Sequence, residues 1–92
     1  RFNEASIRDK CPEISRALNL EGRDFDAIYH WTCQLLDQLK IPRSLAEIGL
    51  DTSKVSSLAE RAFSDSATAT NPRKPQLKEL EMVLNEAISQ GR

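Results

Sequence analysis

Apolar residues recur at three- and four-residue intervals through most of the chain, and nowhere do they alternate as they would on a half-buried strand. The clearest run spans Phe25 to Lys40, where Phe25, Ile28, Tyr29, Thr32, Leu35, Leu36 and Leu39 fall at helical spacing with Trp31 and Cys33 flanking them. At ~100° per residue that apolar arc, flanks included, covers ~200° of the helix circumference. A helix lying on a surface needs a narrower stripe, so this one is expected to be covered by neighbours on more than one side. Asp24 is placed to cap it, because a carboxylate there accepts the unpaired amide hydrogens of the first turn. Ile41-Pro42 ends it, since proline lacks the amide donor and disfavours helix at the residue before.

The same pattern predicts shorter helices on either side. Arg1 to Lys10 is polar and reads as irregular or as one loose turn. Pro12 then opens a helix to about Leu18 with Ile14, Ala17 and Leu18 inward, and Glu21-Gly22-Arg23 is a break. Ser44 is placed to cap a short helix over Leu45 to Ile48, which Gly49 stops. Asp51-Thr52-Ser53 offers a cap for a helix over about Lys54 to Phe63, whose inward stripe is Val55, Leu58, Ala59, Ala62 and Phe63. Ser64 to Pro75 is non-periodic, rich in Ser, Thr and Ala, and reads as an ordered loop. The last helix, about Gln76 to Ser89, turns in Leu77, Leu80, Val83, Leu84, Ala87 and Ile88 before Gly91 ends it. The expected fold class is therefore all-α: a small bundle of about five helices in a single domain over residues 1–92.

Composition narrows the function classes. With 39% apolar residues but only three Phe, one Trp and one Tyr, the core must rest on Leu, Ile, Val and Ala. Thirteen basic residues against fourteen acidic give a net charge of -1, which exerts no general pull on nucleic acid or anionic lipid. The segment Leu45 to Phe63 has the outline of a DNA-reading helix-turn-helix. Its second helix, however, offers only the cations Lys54 and Arg61, with Glu60 beside them, and a nucleic-acid partner is not expected. No apolar run reaches the ~20 residues of a membrane span, and Arg1 to Lys10 lack the apolar core of a signal peptide, so a cytoplasmic location is expected. The chain does not begin with Met, as expected of an excised segment or a processed product. Cys11 and Cys33 are expected to be two reduced thiols, although their spacing also allows a single bridge.

The chemistry-bearing residues form no complete catalytic or metal site. His30 is the one imidazole, on the polar side of the longest helix, and Asp26 lies four residues before it as a surface partner. A metal site needs three or four converging ligands, and a serine or cysteine nucleophile needs a base held by a third group. Gly22, Gly49 and Gly91 each stand alone at a helix boundary, which excludes a glycine-rich phosphate loop. Glu79, Glu81 and Glu86 share a helix with Lys78 and read as a solvated face.

From Ile41 to Arg73 the residues fall in an order that resembles the C-terminal region of iron-containing alcohol dehydrogenases. Ile41-Pro42, Leu45, Glu47 and Ile48-Gly49-Leu50 are followed by Leu58-Ala59, Ala62 and Asp65, and then by the most specific element, Asn71-Pro72-Arg73. Arg1-Phe2-Asn3 is similar to the stretch after the family's final metal-binding histidine. The resemblance implies the C-terminal part of the helical domain shared with dehydroquinate synthase-like enzymes. The parent enzyme it implies interconverts alcohols with aldehydes or ketones, using iron or another divalent metal and NAD or NADP. The implied partner is an N-terminal nucleotide-binding part. The family's metal ligands and glycine-rich loop match no residue here, so this chain is expected to bind neither cofactor, to supply no catalytic residue, and to be structural and inactive alone. The resemblance gives one cofactor-binding residue: Ala67, in the loop before Asn71, where several members place a cysteine near the nicotinamide. Lys40 where glycine is common, and Gln76 where a better cap is common, are further departures. A freestanding helical interaction module without enzymatic activity is the alternative. The wide arc of the Phe25–Leu39 helix predicts self-association.

Overall fold

The sequence folds as helices joined by short turns, described here for residues 1–91 in a computed structural model in which every regular element is helical. The α-helices are α1 (Glu4–Ile7), α2 (Cys11–Ala17), α3 (Phe25–Gln38), α4 (Val55–Ser64), α5 (Ser66–Ala69) and α6 (Leu77–Ser89). Single 3-10 turns lie at Arg8–Lys10, Ala46–Ile48 and Thr52–Lys54. The all-α class is thus what the periodicity predicted, with one addition. The turn allowed for over Arg1 to Lys10 is α1, and the segment Ser64 to Pro75, expected to be a loop throughout, contains α5. The helix expected at Leu45 to Ile48 is a 3-10 turn instead, and Ser44 does not cap it: the cap position is Leu45, without a side-chain bond. The residues gather into two units, Arg1–Ile41 and Pro42–Arg92.

In the first unit α2 packs on α3. The residues that α2 buries are Cys11 and Ser15, one turn apart. The Cys11 thiol donates to the Ile7 carbonyl at 3.4 Å, and the Ser15 hydroxyl donates to the Gly22 carbonyl. Here the expected inward face is corrected: Ile14 and Ala17 are exposed and Leu18 is half-buried. The turn carrying Gly22 comes so close to α3 that a Cβ on Gly22 would lie 2.7 Å from the Cβ of Ala27. Both Cys11 and Cys33 are free thiols.

α3 begins where expected, with the Asp24 carboxylate accepting from the Ala27 amide at 2.9 Å. It ends with Lys40 in the left-handed region (φ 57°), while the amides of Lys40 and Ile41 bond back to the carbonyls of Asp37 and Leu36. That is a Schellman ending, whose left-handed residue is usually glycine. A side chain in that conformation costs roughly 1–2 kcal/mol, and glycine's extra unfolded-state entropy costs about 0.5–1 kcal/mol. The difference favours glycine, so Lys40→Gly is expected to stabilise the chain by about 0.5–1 kcal/mol. A urea midpoint that moves up at unchanged slope is the expected result; an unchanged or lower midpoint would refute it.

α3 itself corrects a second expectation. No side chain on it is fully buried. Leu35 and Leu39 are exposed, and Phe25, Ile28, Tyr29, Trp31, Cys33 and Leu36 are half-buried. The wide arc therefore exceeds what α2 can cover within this unit.

In the second unit α4 packs on α6, burying Val55, Ala59 and Ile88, and Pro75 of the preceding loop is buried as well. Ala59 is wholly inaccessible, a small residue where two helices pass closely. Leu58, Ala62, Leu80, Leu84 and Ala87 are half-buried as the stripes predicted, whereas Phe63 (50% exposed), Leu77 and Val83 lie outside the core. The segment entering the Ala46–Ile48 turn is strapped to α6 by the Leu45 amide, which donates to the Ala87 carbonyl at 2.8 Å. At the end of α6, Gly91 takes φ 70°, and a Cβ there would fall 1.8 Å from the Arg43 carbonyl oxygen. Asp51 accepts from the Ser53 amide at 2.9 Å and from its hydroxyl, which holds the Asp51 carboxyl below its usual range and starts the turn into α4.

Candidate functional site

The segment between α4 and α6 has little apolar mass, and its order comes from polar contacts. Asp65 caps α5, its carboxylate accepting from the Ala67 amide at 2.8 Å. The Thr68 hydroxyl reaches back to the Ala62 carbonyl of α4, and the Asn71 amide donates to the Thr68 carbonyl at 3.2 Å. The Asn71 side-chain amide donates to the Arg73 carbonyl, and the Arg73 guanidinium pairs with the Glu79 carboxylate. The other oxygen of Glu79 accepts from the Gln76 amide at 3.2 Å. Asn71 thus holds the backbone of the loop from its side chain, and Pro72 follows directly.

Ala67 is exposed. Its amide is taken by Asp65, and its carbonyl accepts from the Thr70 hydroxyl at 3.0 Å and the Thr70 amide at 3.3 Å. What it offers outward is therefore a methyl group, suited to van der Waals contact with an aromatic or apolar surface. A cysteine at this point would offer a thiol as well.

Glu79 does not belong to the solvated face expected of it. The residue is half-buried and holds two partners on the loop side of α6. The signal is in the sequence: a glutamate three residues after the cap position is the N3 half of a capping box, and Gln76 and Glu79 form both halves of one.

The other candidate chemistry is dispersed. The Asp26–His30 partnership is corrected, because the Asp26 carboxylate accepts from Arg1 at 3.0 Å. His30 is exposed, with its Nε2 3.1 Å from Nε2 of Gln34. The Arg1 guanidinium also lies 4.3 Å from the Tyr29 ring centre and 5.8 Å from that of Phe25. The hydrogen bond to Asp26 raises the Arg1 pKa above its ordinary value. Among the described residues no three His, Cys, Asp or Glu side chains come together in a group able to hold a metal ion. The residues present therefore do not fit iron. No described helix is long and apolar enough to cross a membrane.

This helical scaffold and loop match a known family over almost their whole length. Residues 1–88 match the C-terminal part of the Fe-containing alcohol dehydrogenase family, and the chain belongs to that family. The chain is 38% identical over 94 aligned residues to the bifunctional aldehyde-alcohol dehydrogenase AdhE of Escherichia coli, an alignment covering 91% of the chain and 10% of that enzyme. It is 25% identical over 91 residues to the NADPH-dependent butanol dehydrogenase of Clostridium saccharobutylicum, covering 90% of the chain and 24% of that enzyme. The chain thus spans a tenth to a quarter of the length of these relatives. No solved structure matches it significantly.

Proposed function

We propose that this chain is the helical C-terminal part of an iron-dependent, NAD- or NADP-linked alcohol dehydrogenase of the cytoplasm that interconverts alcohols with aldehydes or ketones. The observation that carries the reading is the family match over residues 1–88, which includes the ordered loop from Asp65 to Glu79. The metal ligands lie upstream of Arg1 in the parent enzyme, and its N-terminal part binds the nucleotide. This chain contributes a scaffold, and at its α5 edge the Ala67 methyl rests against the nicotinamide. The NADPH dependence of the butanol dehydrogenase relative supports a nicotinamide cofactor. Separated from its partner the chain is structural and inactive, and it self-associates through Phe25–Leu39.

The test is direct. The isolated chain is expected to produce no NADH or NADPH from ethanol or butanol, and to bind neither Fe²⁺ nor Zn²⁺ with sub-micromolar stoichiometric affinity in calorimetry. The full-length enzyme that contains it is expected to reduce NAD or NADP with one of these alcohols once loaded with Fe²⁺. Tight metal binding by the isolated chain, or a full-length protein without dehydrogenase activity, would overturn the reading.

A further inference from the structure

We infer that Glu79 is a positioning residue for the α5 edge, holding the loop that carries Ala67 in place from the α6 side. The inference rests on the reading that Ala67 lies against the nicotinamide. A helix of four residues is far below the length that sustains itself, because nucleation costs more than so few bonds return. The position of α5 must therefore be set at its two ends. On the α4 side the hold is the Thr68 hydroxyl on the Ala62 carbonyl and the Asp65 cap on Ala67. On the α6 side the path runs from the Thr68 carbonyl through the Asn71 amide, then the Asn71 side chain to the Arg73 carbonyl, and ends where the Arg73 guanidinium meets Glu79. Glu79 anchors that end to a thirteen-residue helix, and its second oxygen fixes the Gln76 amide where the loop joins α6.

The side chains of the ion pair are 47% and 28% exposed, and pairs so accessible to water stabilise a fold only slightly. Its effect is therefore geometric rather than energetic. Losing it is expected to let the loop shift while the helices stay folded, and small displacements of a cofactor-contacting edge alter binding more than folding.

The experiment uses the full-length enzyme with three variants: Glu79→Gln, Glu79→Ala and Ala67→Phe. Glutamine retains an acceptor for the Gln76 amide but loses the charge that meets Arg73; alanine loses both. The KM for the nicotinamide dinucleotide is expected to rise about 2–3-fold for Glu79→Gln and about 5–10-fold for Glu79→Ala, with the alcohol KM and the melting temperature little changed. A merely structural role would instead lower the melting temperature and kcat and leave both KM values alone, and that pattern would overturn the inference. If Ala67→Phe raises the dinucleotide KM and Glu79→Ala does not, positioning by Glu79 is wrong while the Ala67 contact stands. If Glu79→Ala raises it and Ala67→Phe does not, Glu79 positions the loop and the contact lies elsewhere on it. If neither variant raises it, both proposals fall.

Discussion

Ile88→Ala is expected to cost the chain about 2–4 kcal/mol, the range for truncating a buried isoleucine, because the methylenes it removes leave a cavity that helices only partly close. Ile88 is 6% exposed and is one of few residues that α4 and α6 bury, together with Val55 and Ala59. With so little apolar mass buried there, no neighbour can compensate. Small domains hold about 5–15 kcal/mol in total, so the loss would bring the helical circular dichroism transition to much lower urea. Met82 on the same helix is 62% exposed, and Met82→Ala is expected to shift stability by less than about 0.5 kcal/mol. Equal shifts for the two variants would mean that α6 does not pack as described.

The second large effect is association. Leu39 is 62% exposed and Ile41 47%, and Leu35 lies one turn before Leu39 along α3. Burying a fully exposed large apolar side chain contributes about 1.5–3 kcal/mol. These three, already partly covered, together have about half of three such contributions left to gain, a sizeable fraction of the stability of a small domain. Burying the arc against a second copy around a twofold axis is the simplest way for an isolated chain to recover that energy, because one patch then covers itself. Sedimentation equilibrium at high micromolar concentration is expected to give a dimer, with Trp31 fluorescence changing on dilution. The double variant Leu35→Glu, Leu39→Glu is expected to be monomeric. A monomeric parent chain that binds no apolar dye would contradict this, and the arc would then be an ordinary accessible surface.

Much of the fold was legible because α3, α4 and α6 each carry a long 3.6-residue repeat with a chemical start or stop signal. Asp24, Asp51 and Gly49 do what their types suggest: the two carboxylates accept amide hydrogens, and Gly49 takes φ 92°. The short elements were not legible. Four residues such as Ser66–Ala69 cannot display a helical period, although Asp65 two positions before Ala67 was a usable cap signal. The buried face of α2 is not legible from hydrophobicity alone, which ranks Ile14 above Ser15, whereas the Ser15 hydroxyl is buried donating to the Gly22 carbonyl. The wide arc of α3 misled in another way. A periodic pattern records the burial a helix needs, not which polypeptide supplies it. In the candidate site, Ala67 could be named only through family likeness. The Arg73–Glu79 contact spans six residues and a proline-rich turn, and no fixed spacing announces it.

The peptide bond between Ile41 and Pro42 has a consequence for recombination. The α2–α3 packing lies wholly before it and the α4–α6 packing wholly after it, and both residues are exposed. A chimaera with another family member that crosses over at this bond keeps each helix pair with its native mate. A crossover anywhere from Asp65 to Glu79 would instead splice a donor from one parent onto an acceptor from the other. A crossover at this bond is therefore expected to preserve both pairings, and the loop before α6 is best exchanged as one piece.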